Sequence, residues 1–176
     1  APGVQSYTDT LIEVEQVRGG SGNDSLVGGS YSQGVSGVFI EQFRGNAGDD
    51  TIDGGGSDTV IGAYGVTDRV DYSSSPFAVV VNIGTSPVTG TPYGTVNGGT
   101  ARDGFDSDLL TPGVQPYTDT LIDINTVQGS DSNDTLVGGN PAFDNLERFE
   151  GRGGDDSLVG GSGNDEAEYS NSPFAV

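Results

Sequence analysis

The sequence predicts an all-β chain of short strands joined by glycine-rich turns, and three observations predict it. First, the 176 residues include 31 Gly and 8 Pro, and few segments run ten residues without one, so long helices are not expected. Second, 19 of the acids are Asp and only 7 are Glu, with 10 Asn beside them. Asp and Asn tolerate tight turns, so this is the acidity of turns and not of helix surfaces. Third, glycine-led blocks recur near a period of nine, and each carries an aliphatic residue close to its end.

Charge and composition bound the chemistry. A formal charge of −20 on 17.9 kDa is self-repulsion that something has to neutralise. It argues against nucleic acid and anionic membranes as partners, which attract basic surfaces, and it argues for cations. The chain has no Cys and no His, so its ligands are hard oxygens, which point to calcium over zinc or copper. Without Cys there is no disulfide, and metals remain as the staple for a small domain outside the cell. No run of 18 apolar residues offers a membrane span, and no signal-peptide pattern is present. The start at Ala without Met and the stop on FAV lead us to expect a piece of a longer protein.

Self-similarity appears at two length scales. PGVQSYTDTLIEVEQVRGGSGNDSLVGG (2–29) returns as PGVQPYTDTLIDINTVQGSDSNDTLVGG (112–139), offset by 110. FRGNAGDDTIDGG (43–55) returns as FEGRGGDDSLVGG (149–161), offset by 106, and DRVDYSSSPFAV (68–79) as DEAEYSNSPFAV (165–176), offset by 97. The chain is one copy of a unit of about 100 residues and some two-thirds of a second. The drop from 106 to 97 is itself a deletion of nine. Within each copy GGSGNDSLV (19–27), GNAGDDTID (45–53), GSDSNDTLV (129–137), GRGGDDSLV (151–159) and GGSGNDEAE (160–168) share one frame. Gly leads it, Asp stands sixth and an aliphatic residue eighth. GGGSDTVI (54–61) is one residue short of the frame and GAYGVTDRVD (62–71) one long. Each block reads as a six-residue turn followed by a three-residue strand. Its glycines admit positive φ and let carbonyls converge without a Cβ in the way.

The blocks resemble the nonapeptide repeats of the RTX, or haemolysin-type calcium-binding, family, G-G-x-G-x-D-x-U-x with U a large apolar residue. GGSGNDSLV and GGSGNDEAE fit the six-residue loop in full, although U in the second is Ala167. The stretches between resemble spacer strands of long bacterial surface proteins. The resemblance implies calcium-binding parallel β-roll blocks joined by β-rich spacers: a spacer strand over 1–18, a first roll over 19–71, a spacer over 72–128, a second roll over 129–168 and a new spacer from 169 to 176. It implies several calcium ions held between same-side turns. The sixth position then makes Asp24, Asp50, Asp134, Asp156 and Asp165 ligands, with Asp58 and Asp68 if the irregular blocks keep the frame. Gly19, Gly20, Gly22, Gly45, Gly48, Gly151, Gly154, Gly160 and Gly163 form the turns that cradle the metal. Asp50 and Asp68, 18 residues apart, suit one shared site. Asp134 is expected beside Asp156, Asp24 beside Asp50, and Asp144 is a weaker partner for Asp165.

Leu26, Ile52, Val60, Val70, Leu136 and Leu158 hold the U position and are expected to form a core ladder. Val79, Val81 and Ile83 alternate, as do Leu121 to Val127, and both stretches read as longer strands. Arg44, Arg69, Arg148 and Arg152 sit among acids as local ion-pair partners. Catalysis is not expected: with no His, Cys or Lys, bases and nucleophiles are few. The resemblance implies an extracellular or cell-surface location in bacteria, reached by type I export of an unfolded chain. The role it suggests is a stiffening module of an adhesin, surface layer or extracellular filament. An accessory secretion module of an RTX toxin or exoenzyme, and a sugar- or ice-binding module, are the alternatives. Expected partners are calcium and further copies of the repeat, with head-to-tail self-association and no membrane insertion.

Overall fold

A computed structural model describes residues 9, 14–29, 40–55, 67–105, 117–139 and 146–172. Among these the chain forms fifteen strands and no helix. In order they are β1 (Gln16–Arg18), β2 (Ser25–Val27), β3 (Ile40–Arg44), β4 (Thr51–Asp53), β5 (Thr67–Asp71), β6 (Val80–Asn82), β7 (Val88–Thr91) and β8 (Gly94–Val96). There follow β9 (Thr100–Arg102), β10 (Thr118–Ile122), β11 (Thr126–Gln128), β12 (Thr135–Val137), β13 (Leu146–Glu150), β14 (Ser157–Val159) and β15 (Asn164–Ala167).

The first sheet holds β1, β3, β5, β11, β13 and β15 side by side in chain order, every pairing parallel. The second runs β14-β12-β6-β9-β10-β4-β2 and is parallel except at β9, which lies antiparallel between β6 and β10. β7 and β8 form a separate two-stranded ribbon. A three-residue strand can turn only its middle side chain inward, and β4 and β12 bury Ile52 and Leu136 in that way. In the first sheet Val17, Phe43, Val70, Val127, Phe149 and Ala167 stand in register across all six strands. In the second, Leu26, Ile52 and Leu121 make one ladder, and Val81, Leu136 and Leu158 another. These inner faces meet in one core, fully buried at Ile52, Val70, Val127 and Leu136. Leu26 and Leu158, on the end strands, are only partly covered. Val60 lies outside the described residues.

Two expected long strands are corrected. The stretch from Leu121 to Val127 breaks at Asp123, which takes φ 51, so that β10 lies in the second sheet and β11 in the first. A short polar side chain can hold that left-handed corner, and the alternation of apolar residues conceals it. Val79 and Val81 are buried, but the strand there is only β6, which leaves out Val79 and Ile83. It stops where the Asn82 Oδ1 accepts the Gly84 N–H at 3.1 Å.

The stretch 72–128 supplies β6, β9 and β10 to the middle of the second sheet and β11 to the middle of the first. The first sheet is a three-strand unit used twice. β1 and β3 pair Gln16 with Gln42, and β11 and β13 pair the repeat equivalents, Thr126 with Arg148. Likewise Ile40↔Thr67 recurs as Leu146↔Asn164.

Leu136→Ala opens a cavity at a fully buried rung and should cost about 2–5 kcal/mol in urea unfolding at saturating calcium. Leu26→Ala, on an end strand, should cost less than half as much in the same measurement.

Candidate metal centre

The turns that carry the chain from the first sheet to the second span residues 19–24, 45–50, 129–134 and 151–156. Each ends in an Asp that leads into the next strand. The carboxylate folds back over the leading glycine: a Cβ on Gly19, Gly45, Gly129 or Gly151 would sit 2.3, 2.0, 2.3 or 2.1 Å from the Oδ2 of Asp24, Asp50, Asp134 or Asp156. Gly20 and Ser130 donate their N–H to the Oδ2 of Asp24 and Asp134, both at 2.6 Å. Successive turns also press together. Gly48, at φ 127, lies where a Cβ would be 2.8 Å from the Gly22 carbonyl oxygen, and Gly154, at φ 109, repeats this against Ser132 at 2.6 Å.

The second carboxylate oxygen ties one turn to the next. Asp50 Oδ1 accepts the Asp24 N–H at 2.8 Å, and Asp156 Oδ1 accepts the Asp134 N–H at 2.9 Å. Asp24 thus meets Asp50, and Asp134 meets Asp156. The line continues through a residue that the nonapeptide frame does not include: Asp119 Oδ1 accepts the Asp50 N–H at 3.0 Å. On the far side of β9, Val79 takes the same place and donates its N–H to Asp134 Oδ1 at 2.8 Å. Asp119 is fully buried, and its Oδ2 accepts the Tyr72 hydroxyl at 2.8 Å. Its signal in the sequence is Asp119-Thr-Leu121, an acid two residues before a core aliphatic, the same spacing as sixth and eighth.

The opposite edge, where the second sheet hands back to the first, carries Asp68 in β5 and Asp165 in β15. Asp50 and Asp68 therefore do not share a turn: Asp50 leads into β4 of the second sheet, whereas Asp68 lies in β5 of the first. Asp68 pairs with Glu41, and Asp165 with Glu147. These two glutamates take the acid's place: both Glu41 oxygens accept the Gly29 N–H, at 3.2 and 3.1 Å, and both Glu147 oxygens the Gly139 N–H, at 3.1 and 3.0 Å. Asn125 continues the line and accepts the Asp68 N–H at 3.0 Å. Glu41-x-Phe43 and Glu147-x-Phe149 have the acid-x-apolar spacing, and a frame written for Asp passes over them. Gly160, whose Cβ would be 2.3 Å from Asp165 Oδ2, and Gly163, at φ 132, build the turn before Asp165. Asp58 and Asp144 lie outside the described residues.

Burial without a counter-charge dominates the electrostatics. It pushes Asp134 up to about 6, against the opposing hydrogen bonds of Val79 and Ser130. It pushes Asp119 up to about 7. Asp103, wholly buried, rises to about 8, with the charges of Asp119 and Asp50 adding to its burial. Asp50 and Asp156 rise for the same leading reason. Arg44, Arg69 and Arg148 are engaged away from the turns, with Asp71, Glu150 and Glu166, and Arg152 pairs across two turns with Asp131, not with the sixth-position acids. Asp50 Oδ2 is buried with no hydrogen-bond partner, above a glycine that leaves it room. An oxygen-seeking cation fits that arrangement. Among the described residues no group of three or more Asp, Glu, His or Cys side chains is set to hold a metal, so turn carbonyls and water have to complete any coordination shell.

Comparison with known families agrees with this donor set. The RTX calcium-binding nonapeptide repeat matches in four copies, over residues 14–30, 36–65, 119–140 and 147–167, together half of the chain. The third match opens on Asp119. No curated protein and no solved structure matches the chain.

Gly45→Ala places a methyl on the Asp50 carboxylate, so calcium affinity, followed by isothermal titration, should fall at least about tenfold, whereas Gly22→Ala meets open space and should change it little. The raised carboxylates also set a pH dependence. Folding without calcium takes up protons at Asp134, Asp119 and Asp103, so stability is greatest below their unfolded range near 4 and is lost as pH rises through about 6 to 8. Strand content in calcium-free buffer should therefore rise when pH is lowered from about 8 to about 5, as followed by circular dichroism.

Proposed function

The chain belongs to the RTX calcium-binding nonapeptide-repeat family, and from that premise we propose that it is a calcium-stabilised structural module of a secreted bacterial surface protein: an adhesin, a surface layer or an extracellular filament. Residues 19–71 and 129–168 are then β-roll blocks, and 72–128 is the spacer woven between them. The observation that carries this reading is the line of Asp24, Asp50, Asp119, Asp134 and Asp156 along one edge of the stacked sheets. Carboxylates brought together in this way repel unless cations sit among them. Repeats of this family bind calcium, and several ions held by paired carboxylates and turn carbonyls would remove that cost. The stabilisation follows mass action, since an ion that binds only the folded chain stabilises it in proportion to RT ln(1 + [L]/Kd).

The role is structural and not catalytic. Its tandem unit suits a protein that must be stiff and long, because each coil buries its faces only against its neighbours. Repeats of this family are typical of secreted bacterial proteins. At low cytosolic calcium the 26 acidic side chains would keep the chain unfolded and exportable by a type I system. Millimolar calcium outside the cell would then fold it. Partners are calcium and further copies of the same unit, joined head to tail.

Circular dichroism in chelator at neutral pH should show a disordered chain, and millimolar calcium should bring up the strand signal. A chain fully folded in chelator would overturn the reading.

A further inference from the structure

The first sheet ends on two edges, β1 and β15, each paired on one side only among the described residues. Such edges present a row of unused N–H and C=O groups to another strand. The internal repeat shows which strand. β15 is the repeat of β5, since Asp68–Asp71 returns as Asp165–Glu168. β1 is the repeat forerunner of β11, since Gln16–Arg18 returns as Thr126–Gln128. Inside the chain β5 and β11 lie against each other, with Arg69↔Thr126, Val70↔Val127 and Asp71↔Gln128. Both other pairings of the three-strand unit keep their register from one copy to the next. The junction between copies is therefore already present once, in the middle of the sheet.

We propose that a second copy of this chain docks by its β1 onto the free edge of β15, parallel, with Gln16 opposite Glu166, Val17 opposite Ala167 and Arg18 opposite Glu168. The inference rests on the reading of the chain as a repeat module and specifies how its copies meet. Val17 continues the core ladder past Ala167, which is exposed in the single chain. Arg18, also exposed, faces an acid where the internal junction sets Gln128 opposite Asp71. The end-to-end contact thus carries a charge pair that the internal one lacks. The contact is heterologous, and each docked copy exposes a fresh β15, so it extends to an open filament and does not close as a dimer.

The absence of cysteine allows a clean test. Arg18→Cys and Glu168→Cys chains are mixed in calcium and treated with a short bis-maleimide linker, with Phe77→Cys, an exposed position away from the junction, as control. The expected result is a mixed Arg18→Cys–Glu168→Cys dimer well above either control mixture, and a covalent ladder from the double variant. With the partner left as Glu168→Cys, linkage by position is read; by charge, Arg18→Glu should lower the sedimenting polymer at least about fivefold, and Glu168→Arg in the same chain should restore it. Circular dichroism of every sample reports whether it is folded. A chain folded in calcium that links no better than the control, or stays monomeric, overturns the junction and leaves the calcium module standing. A chain that calcium does not fold overturns both.

Discussion

Strands stacked about 4.8 Å apart bring the same position of every coil close to its neighbour, and here that position is a carboxylate. The turns resolve the crowding in two ways at once. One oxygen of Asp50, Asp119, Asp134 and Asp156 accepts a backbone N–H of the adjoining stretch, so that Asp24, Asp50 and Asp119 are tied in series and Asp134 is tied to Asp156. The other oxygen bends over a leading glycine, where any side chain would collide with it. Glycine at the first position, Asp at the sixth and an inward aliphatic at the eighth are therefore one geometric requirement and not three preferences. The same stacking leaves Asp50, Asp119 and Asp134 buried without arginine partners, and their raised affinity for protons is the reverse side of an affinity for cations.

The spacer belongs to the same arrangement. Three-residue strands bury too little alone, and the core is completed by Tyr72, Val79, Val81, Leu121 and Val127 from the stretch between the nonapeptides. The antiparallel β9 interrupts the line of acids between Asp119 and Val79. At that interruption the Tyr72 hydroxyl satisfies the Asp119 Oδ2, where in Asp24 and Asp134 a backbone N–H of the same turn does so. On the outer face of the first sheet, Arg44, Arg69 and Arg148 bind acids on other strands of that sheet. Their guanidinium groups are partly exposed, and together they hold three of the chain's six cations away from the turns.

Much of the site was legible in the sequence because a repeat exposes its own constraints. Asp24, Asp50, Asp134 and Asp156 stand in one frame, and so do the glycines that make room for them. Glu41 and Glu147 were not legible as site residues because a frame written for Asp excludes a longer acid, although both carry the acid-x-apolar spacing. Asp119 was hidden for a related reason, lying in a stretch that reads as spacer strand. The expected partnership of Asp50 and Asp68 fails because Asp50 leads into the second sheet and Asp68 into the first: a spacing of 18 returns to the same edge only while each crossing consumes one nonapeptide.

By itself, then, the sequence determined the local alphabet: which glycines turn, which acids point into the turn, which aliphatics face inward, and that cations must answer a charge of −20. Those are short-range matters of backbone freedom and side-chain chemistry, and a nine-residue window contains them. Which turn lies against which, that β9 runs against its neighbours, that Asp123 bends an apparent strand from one sheet to the other, and that β5 meets β11 in the register a further copy could use, were decided only by the tertiary structure. Such pairings join residues 22 to 69 positions apart along the acid line alone. No local pattern distinguishes between coils that are nearly identical, so the choice falls to the packing of the whole core.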